Sequence, residues 1–112
     1  MKKRPDSTSI HDILKAAYLA QSFVKGISKK SFAKDLKTQA ALCRQLEIIG
    51  EAATRLSLEF RKSNPAVPWR QMIGMRNILI HLYEEVDNED LWGTVRDDLP
   101  RLIATLEPLL KL

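Results

Sequence analysis

Cysteine is nearly absent from this sequence: Cys43 stands alone among 112 residues. An internal disulfide is therefore excluded, and one thiol among apolar neighbours fits a reducing compartment. No His or acid is read at helical spacing to activate that thiol, so it is expected to be inert. Long hydrophobic runs are missing as well, with nothing near the roughly 18 apolar residues that a membrane span requires. The basic start Met1-Lys2-Lys3-Arg4 leads into Pro5-Asp6-Ser7-Thr8-Ser9 rather than into the apolar core of a secretory signal. A cytoplasmic protein with no membrane partner is expected. Strand-like alternation, repeats and low-complexity tracts are also absent, which points to an all-α chain.

What is present suits one globular domain over residues 1–112, with residues 1–6 expected to be a flexible N-terminus. The composition is 45% hydrophobic and 29% charged, enough to bury a single core without metal or disulfide staples. The net charge of +4 is unevenly placed. Residues 1–64 hold 13 Lys/Arg against 6 Asp/Glu, and residues 65–112 hold 5 against 8. A basic half suits an anionic partner such as RNA, because Lys and Arg neutralise phosphates whatever the sequence. The alternative is that Lys29, Lys30, Lys34 and Lys37 form a solvated helix face.

Ser9 and Asp12 form a capping-box-like start to a first helix whose apolar side runs from Ile10 to Val24, and Gly26 ends it. His11 beside this cap reads as solvent-facing. Residues 29–37 leave room for a short helical turn bearing Phe32. From Thr38, the positions Leu42, Leu46, Ile49, Ala53, Leu56 and Phe60 fall at spacings of 4, 3, 4, 3 and 4, the seam of one long central helix. Gly50 in that helix leaves room for another backbone to approach. Glu47 and Glu51 lie one turn apart, but no His or Asp completes a metal set. Pairing with Arg44 or Arg55 is the expectation.

The run Ser63-Asn64-Pro65-Ala66-Val67-Pro68 breaks the chain and puts Pro68 where the first turn of a new helix tolerates it. A third helix then runs from Trp69 to near Tyr83. Asp87-Asn88-Glu89-Asp90 opens the last helical region, which Pro100 must kink or restart. The expected architecture is an up-and-down four-helix bundle with a short extra turn and a last helix kinked at Pro100.

One stretch carries chemistry. In Arg76-Asn77-Ile78-Leu79-Ile80-His81-Leu82-Tyr83, four polar side chains alternate with apolar ones that call for burial, so each needs a partner or a task. RNA cleavage without a metal needs a group to take the 2′-hydroxyl proton, a group to protonate the leaving 5′-oxygen, and a cation for the phosphate. His81 suits the proton transfers, with an ordinary pKa of about 6.5. Arg76 supplies a planar fork that matches phosphate oxygens. Asn77, four residues before His81, is placed to orient the ring. Five residues at about 100° each, however, set Arg76 and His81 roughly 140° apart on a regular helix. Either the helix ends or bends near His81, or two copies meet across a two-fold axis and build a joint cleft.

The run Met75–Tyr83 resembles the signature of the HEPN superfamily, Arg, four residues, then His, in the HepT-like branch where Tyr follows two positions later. Leu46–Ala53, Pro68–Gly74 and Asp98-Leu99-Pro100 resemble the other blocks of that branch in the same order. The resemblance thus covers nearly the whole chain. A lone Arg-x4-His spacing carries little; four ordered blocks carry much more. The resemblance implies a dimeric, helical, metal-independent ribonuclease toxin of a toxin–antitoxin module, with no cofactor. Its partner would be an MNT-type nucleotidyltransferase antitoxin that moves AMP from ATP onto the motif tyrosine. Carried over by position, Arg76 and His81 are the catalytic pair, Asn77 supports them and Tyr83 is modified. The sequence departs from the branch at Leu82, where a polar or acidic residue is usual, and at Glu84-Glu85, where an aromatic and a glycine are usual; the two glutamates make the cleft rim more acidic. The rival reading is a non-catalytic helical subunit that binds nucleotide or substrate beside a nucleotidyltransferase.

Overall fold

The computed structural model describes residues 5–81 and 87–110, with the side chains of residues 78, 80 and 81 outside that description. Among the described residues every regular element is helical.

Helix α1 (Asp6–Val24) begins earlier than the cap expected at Ser9 and Asp12. The expectation fails because a tertiary contact outweighs the local cap. Asp6 accepts hydrogen bonds from the Ser57 backbone N–H at 3.0 Å and the Ser57 hydroxyl at 2.9 Å, which fixes the first turn upstream. Pro5, with no N–H of its own to satisfy, occupies the N-cap position. Ser9 is then fully buried inside the helix rather than capping it. Gly26, at φ +79°, sits in the left-handed region just past the end of α1, as expected.

Helix α2 (Lys29–Phe32) is the short turn bearing Phe32, which is buried and stacks at 5.2 Å on Trp92. Helix α3 (Leu36–Thr54) is capped by Asp35, which accepts from the Thr38 N–H at 3.0 Å and from the Thr38 hydroxyl at 2.6 Å. Here a second expectation is corrected. The seam from Leu42 to Phe60 does not lie on one helix: α3 stops at Thr54, and α4 (Leu58–Ser63) restarts under a cap from Ser57. Leu56 stays buried across the break, so the apolar spacing persists while the helix does not.

Helix α5 (Trp69–His81) starts on the Pro68 carbonyl, which accepts from the Met72 N–H at 3.1 Å. Trp69 is buried beside it, its indole N–H donating to the Asn64 carbonyl at 2.9 Å. Helix α6 (Asn88–Gly93), capped by Asp87, runs into a π-helical segment, Thr94–Asp98, and then into α7 (Leu99–Leu110). The π segment is how the chain meets the demand set by Pro100. In an α-helix the Arg96 carbonyl would look for a proline N–H that does not exist; a wider turn with Leu99 N–H on the Thr94 carbonyl accommodates the ring.

Helix α3 is the central member, packed on α1 along one side and on α5 along another, while α7 closes against α1. The α6–α7 run counts as the fourth long member, which gives the expected all-α bundle. No helix among the described residues is long and apolar enough to cross a membrane.

Candidate active site

Gly50 sets the geometry of the site. A Cβ placed there would stand 2.3 Å from the Cβ of Arg76 and 2.9 Å from the Met72 carbonyl oxygen, so α3 and α5 touch backbone to backbone at this point. The close approach expected from a glycine in a helix interior is real. Its opposite number was not legible: nothing in the spacing of α3 names Arg76 as the residue across the contact. The crossing clamps the base of the Arg76 side chain and leaves the guanidinium at the rim, where Nη1 donates to the Asn77 side-chain oxygen at 2.9 Å.

The carboxylates nearest in sequence to Gly50 are engaged elsewhere. Glu47 accepts from Arg44 at 3.3 Å, and Glu51 accepts from Arg55 at 2.7 Å, both within α3 and both as expected. Arg76 has no carboxylate within ion-pair distance among the described residues, and its buried Nε finds no acceptor among them. A guanidinium held by its stem, steadied by a neutral amide and left without a counter-charge is set up to receive an anion. Asn77 presents its carbonyl oxygen to Arg76, which identifies it as a neighbour of the arginine.

The remaining candidates divide at the end of α5. His81 is its last described residue, and its ring lies outside the described residues, as do Leu82, Tyr83, Glu84 and Glu85. Arg76 and His81 belong to one α-helix, so the divergence of roughly 140° holds along the backbone.

Other chemical groups fall away on geometry. Cys43 is buried in α3, and burial pushes its thiol up to about 11, with the negative charge of Glu47 adding to the effect. Glu47 is an acid one turn away, contrary to the sequence reading, but it opposes the thiolate, so the thiol is inert as expected. His11 is exposed on α1. Among the described residues no group of three or more His, Cys, Asp or Glu could hold a metal ion. A cleft opens between α5 and α7, lined mainly by Met72 and Met75 of α5, Leu46 and Ile49 of α3, and Leu99 and Leu102 of α7, with Gln71, Thr94 and Asp98 as its polar members. Met72 packs against the core and also lines this opening between α5 and α7.

Comparison with known proteins bears on the chain as a whole. Residues 13–109 match the family model described as ribonuclease HepT-like. A protein of Thermococcus cleftensis named "Probable ribonuclease HepT" is 42% identical over 109 residues, covering 97% of this chain and 99% of that protein. A Methanocaldococcus jannaschii protein named as a candidate RNase is 39% identical over 96% of this chain and 98% of its own length. Another, from Caldanaerobacter subterraneus, is 42% identical over 79% of each. No solved structure matches the chain.

Proposed function

The chain belongs to the HepT-like ribonuclease family, and on that premise we propose that it is a metal-independent endoribonuclease, the toxin of a toxin–antitoxin module. The observation that carries the reading is the un-neutralised guanidinium of Arg76, fixed at the Gly50 crossing and lacking a carboxylate partner among the described residues. His81 moves the protons: the ribose 2′-oxygen loses its proton and attacks the adjacent phosphorus, the bond from phosphorus to the 5′-oxygen breaks, and that oxygen is protonated. The products are a 2′,3′-cyclic phosphate and a 5′-hydroxyl. Arg76 balances the charge that grows on the phosphate oxygens. Because five residues on a regular α-helix set positions 76 and 81 about 140° apart, Arg76 of one subunit acts with His81 of the partner subunit, in a cleft shared by a homodimer. Asn77 steadies Arg76.

Control is assigned to Tyr83. An MNT-type nucleotidyltransferase antitoxin transfers AMP from ATP to the tyrosine oxygen and releases pyrophosphate, putting bulk and negative charge where the RNA phosphate must sit. Incubation with ATP and the partner raises the intact mass in AMP-sized steps; a Tyr83→Phe chain that still gains them contradicts the assignment. For the reaction itself, the test is RNA cleavage in EDTA by the wild type and by His81→Ala. The account predicts cleavage by the first alone. Equal cleavage by both, or none by either, favours the non-catalytic binding subunit.

A further inference from the structure

The corner formed by the end of α1, α2 and the start of α3 is the most basic part of the chain. Between residues 25 and 37 lie five lysines and one acid, Asp35. The structure shows what the acids of this corner do. Asp35 is engaged as the cap of α3, where its bonds to Thr38 hold the carboxyl below its ordinary range. Asp87 caps α6, and Glu89 pairs with Lys29 at 3.2 Å. Lys30, Lys34 and Lys37 are exposed and have no carboxylate within ion-pair distance among the described residues.

Two contacts tie the corner to its neighbours. The Phe32–Trp92 stack ties α2 to α6, and the Gln39 side-chain N–H donates to the Phe32 carbonyl at 2.8 Å, tying α2 to α3. Helix α6, whose Trp92 meets Phe32 of the corner, begins seven residues after His81, the end of α5. Along α3, Lys37 lies 13 residues from the Gly50 contact with Arg76, about 20 Å at 1.5 Å per residue.

We propose that Lys30, Lys34 and Lys37 form a backbone-tracking surface for single-stranded RNA, holding phosphates of the substrate on one side of the scissile bond. The proposal rests on the ribonuclease reading and names how that site gains affinity without reading bases. Three exposed ammonium groups with no carboxylate within ion-pair distance among the described residues, Lys37 acting on Asp35 only at longer range, supply counterion release, the sequence-independent part of RNA affinity. A protein partner would also have to meet the exposed, non-aromatic character of this corner; phosphates meet it with charge alone.

The test uses the full chain and a short 2′-O-methyl oligoribonucleotide, which binds but has no free 2′-hydroxyl to attack. Affinity is measured by fluorescence anisotropy across salt concentrations for wild type, for K30Q/K34Q/K37Q and for K15Q/K62Q/R70Q, which removes equal charge from exposed positions elsewhere. The first triple variant is expected to flatten the slope of log affinity against log salt by about 2, from roughly 0.7 per single-strand phosphate contact. The second is expected to leave the slope unchanged, and circular dichroism to show both folded. Equal slopes for the two variants, or no RNA binding by the wild type, overturn the proposal. Binding that depends on the corner, in a protein that cuts no RNA, upholds the surface and overturns the catalytic reading instead.

Discussion

At the scale of single residues, two glycines make opposite predictions from the same helix propensity. Gly50 faces the Cβ of Arg76 at 2.3 Å, whereas a Cβ on Gly74 meets nothing within 4 Å. Gly50→Ala is expected to force α3 and α5 apart, with a loss of about 1–3 kcal/mol typical of overpacking and a loss of RNA cleavage. Gly74→Ala is expected to gain up to about 1 kcal/mol from propensity alone. Urea midpoints of the two variants check the pair. Cys43 adds a pH dependence. Its folded pKa, about 11 against an ordinary 9.0, means that the unfolded chain releases the proton first, so this group lowers stability as pH rises from about 9 to 11 and is silent below. Cys43→Ser should show a flatter stability curve across that window in denaturant titrations. The residue scale was also where the sequence was most legible: the close approach expected at Gly50 is there, and Glu47 and Glu51 found Arg44 and Arg55 through local i,i+3 and i,i+4 geometry.

At the scale of elements, legibility depended on whether a boundary is set locally. The short turn with Phe32, the end of α1 at Gly26 and the start of α5 at Pro68 follow from nearby residues. The start of α1 and the break after Thr54 do not, because Asp6 and Ser57 settle both together across 51 residues. Before that contact is known, Ser9 reads as a cap and Leu56 to Phe60 read as more of α3. Ser57 caps α4 and receives Asp6 at once, so Ser57→Ala is expected to cost about 1–2 kcal/mol, more than an isolated cap at the low end of the range. Thermal unfolding checks it; an unchanged Tm contradicts the joint role. Asp35 is the corresponding cap of α3, and its lowered pKa means its contribution is present above the ordinary 3.8 and lost as pH falls through the folded value. Pro100 told that the last helix must change, and the π segment is the form that change takes.

At the scale of the whole molecule, the bundle was readable from periodicity, and the candidate site only from the motif. That Arg76 has no carboxylate within ion-pair distance among the described residues emerges only from the folded packing, with Glu47 and Glu51 of α3 paired to Arg44 and Arg55. Arg76 and His81 diverge on α5, and this angle makes a shared site the centre of the account. Complementation tests it most directly. Arg76→Ala and His81→Ala chains, each inactive alone, are co-refolded and assayed on RNA with EDTA present. If Arg76 works with His81 of the partner subunit, half of the dimers are mixed and each mixed dimer has one intact site, so activity returns to about a quarter of wild type. A mixture as inactive as its parents contradicts the shared site.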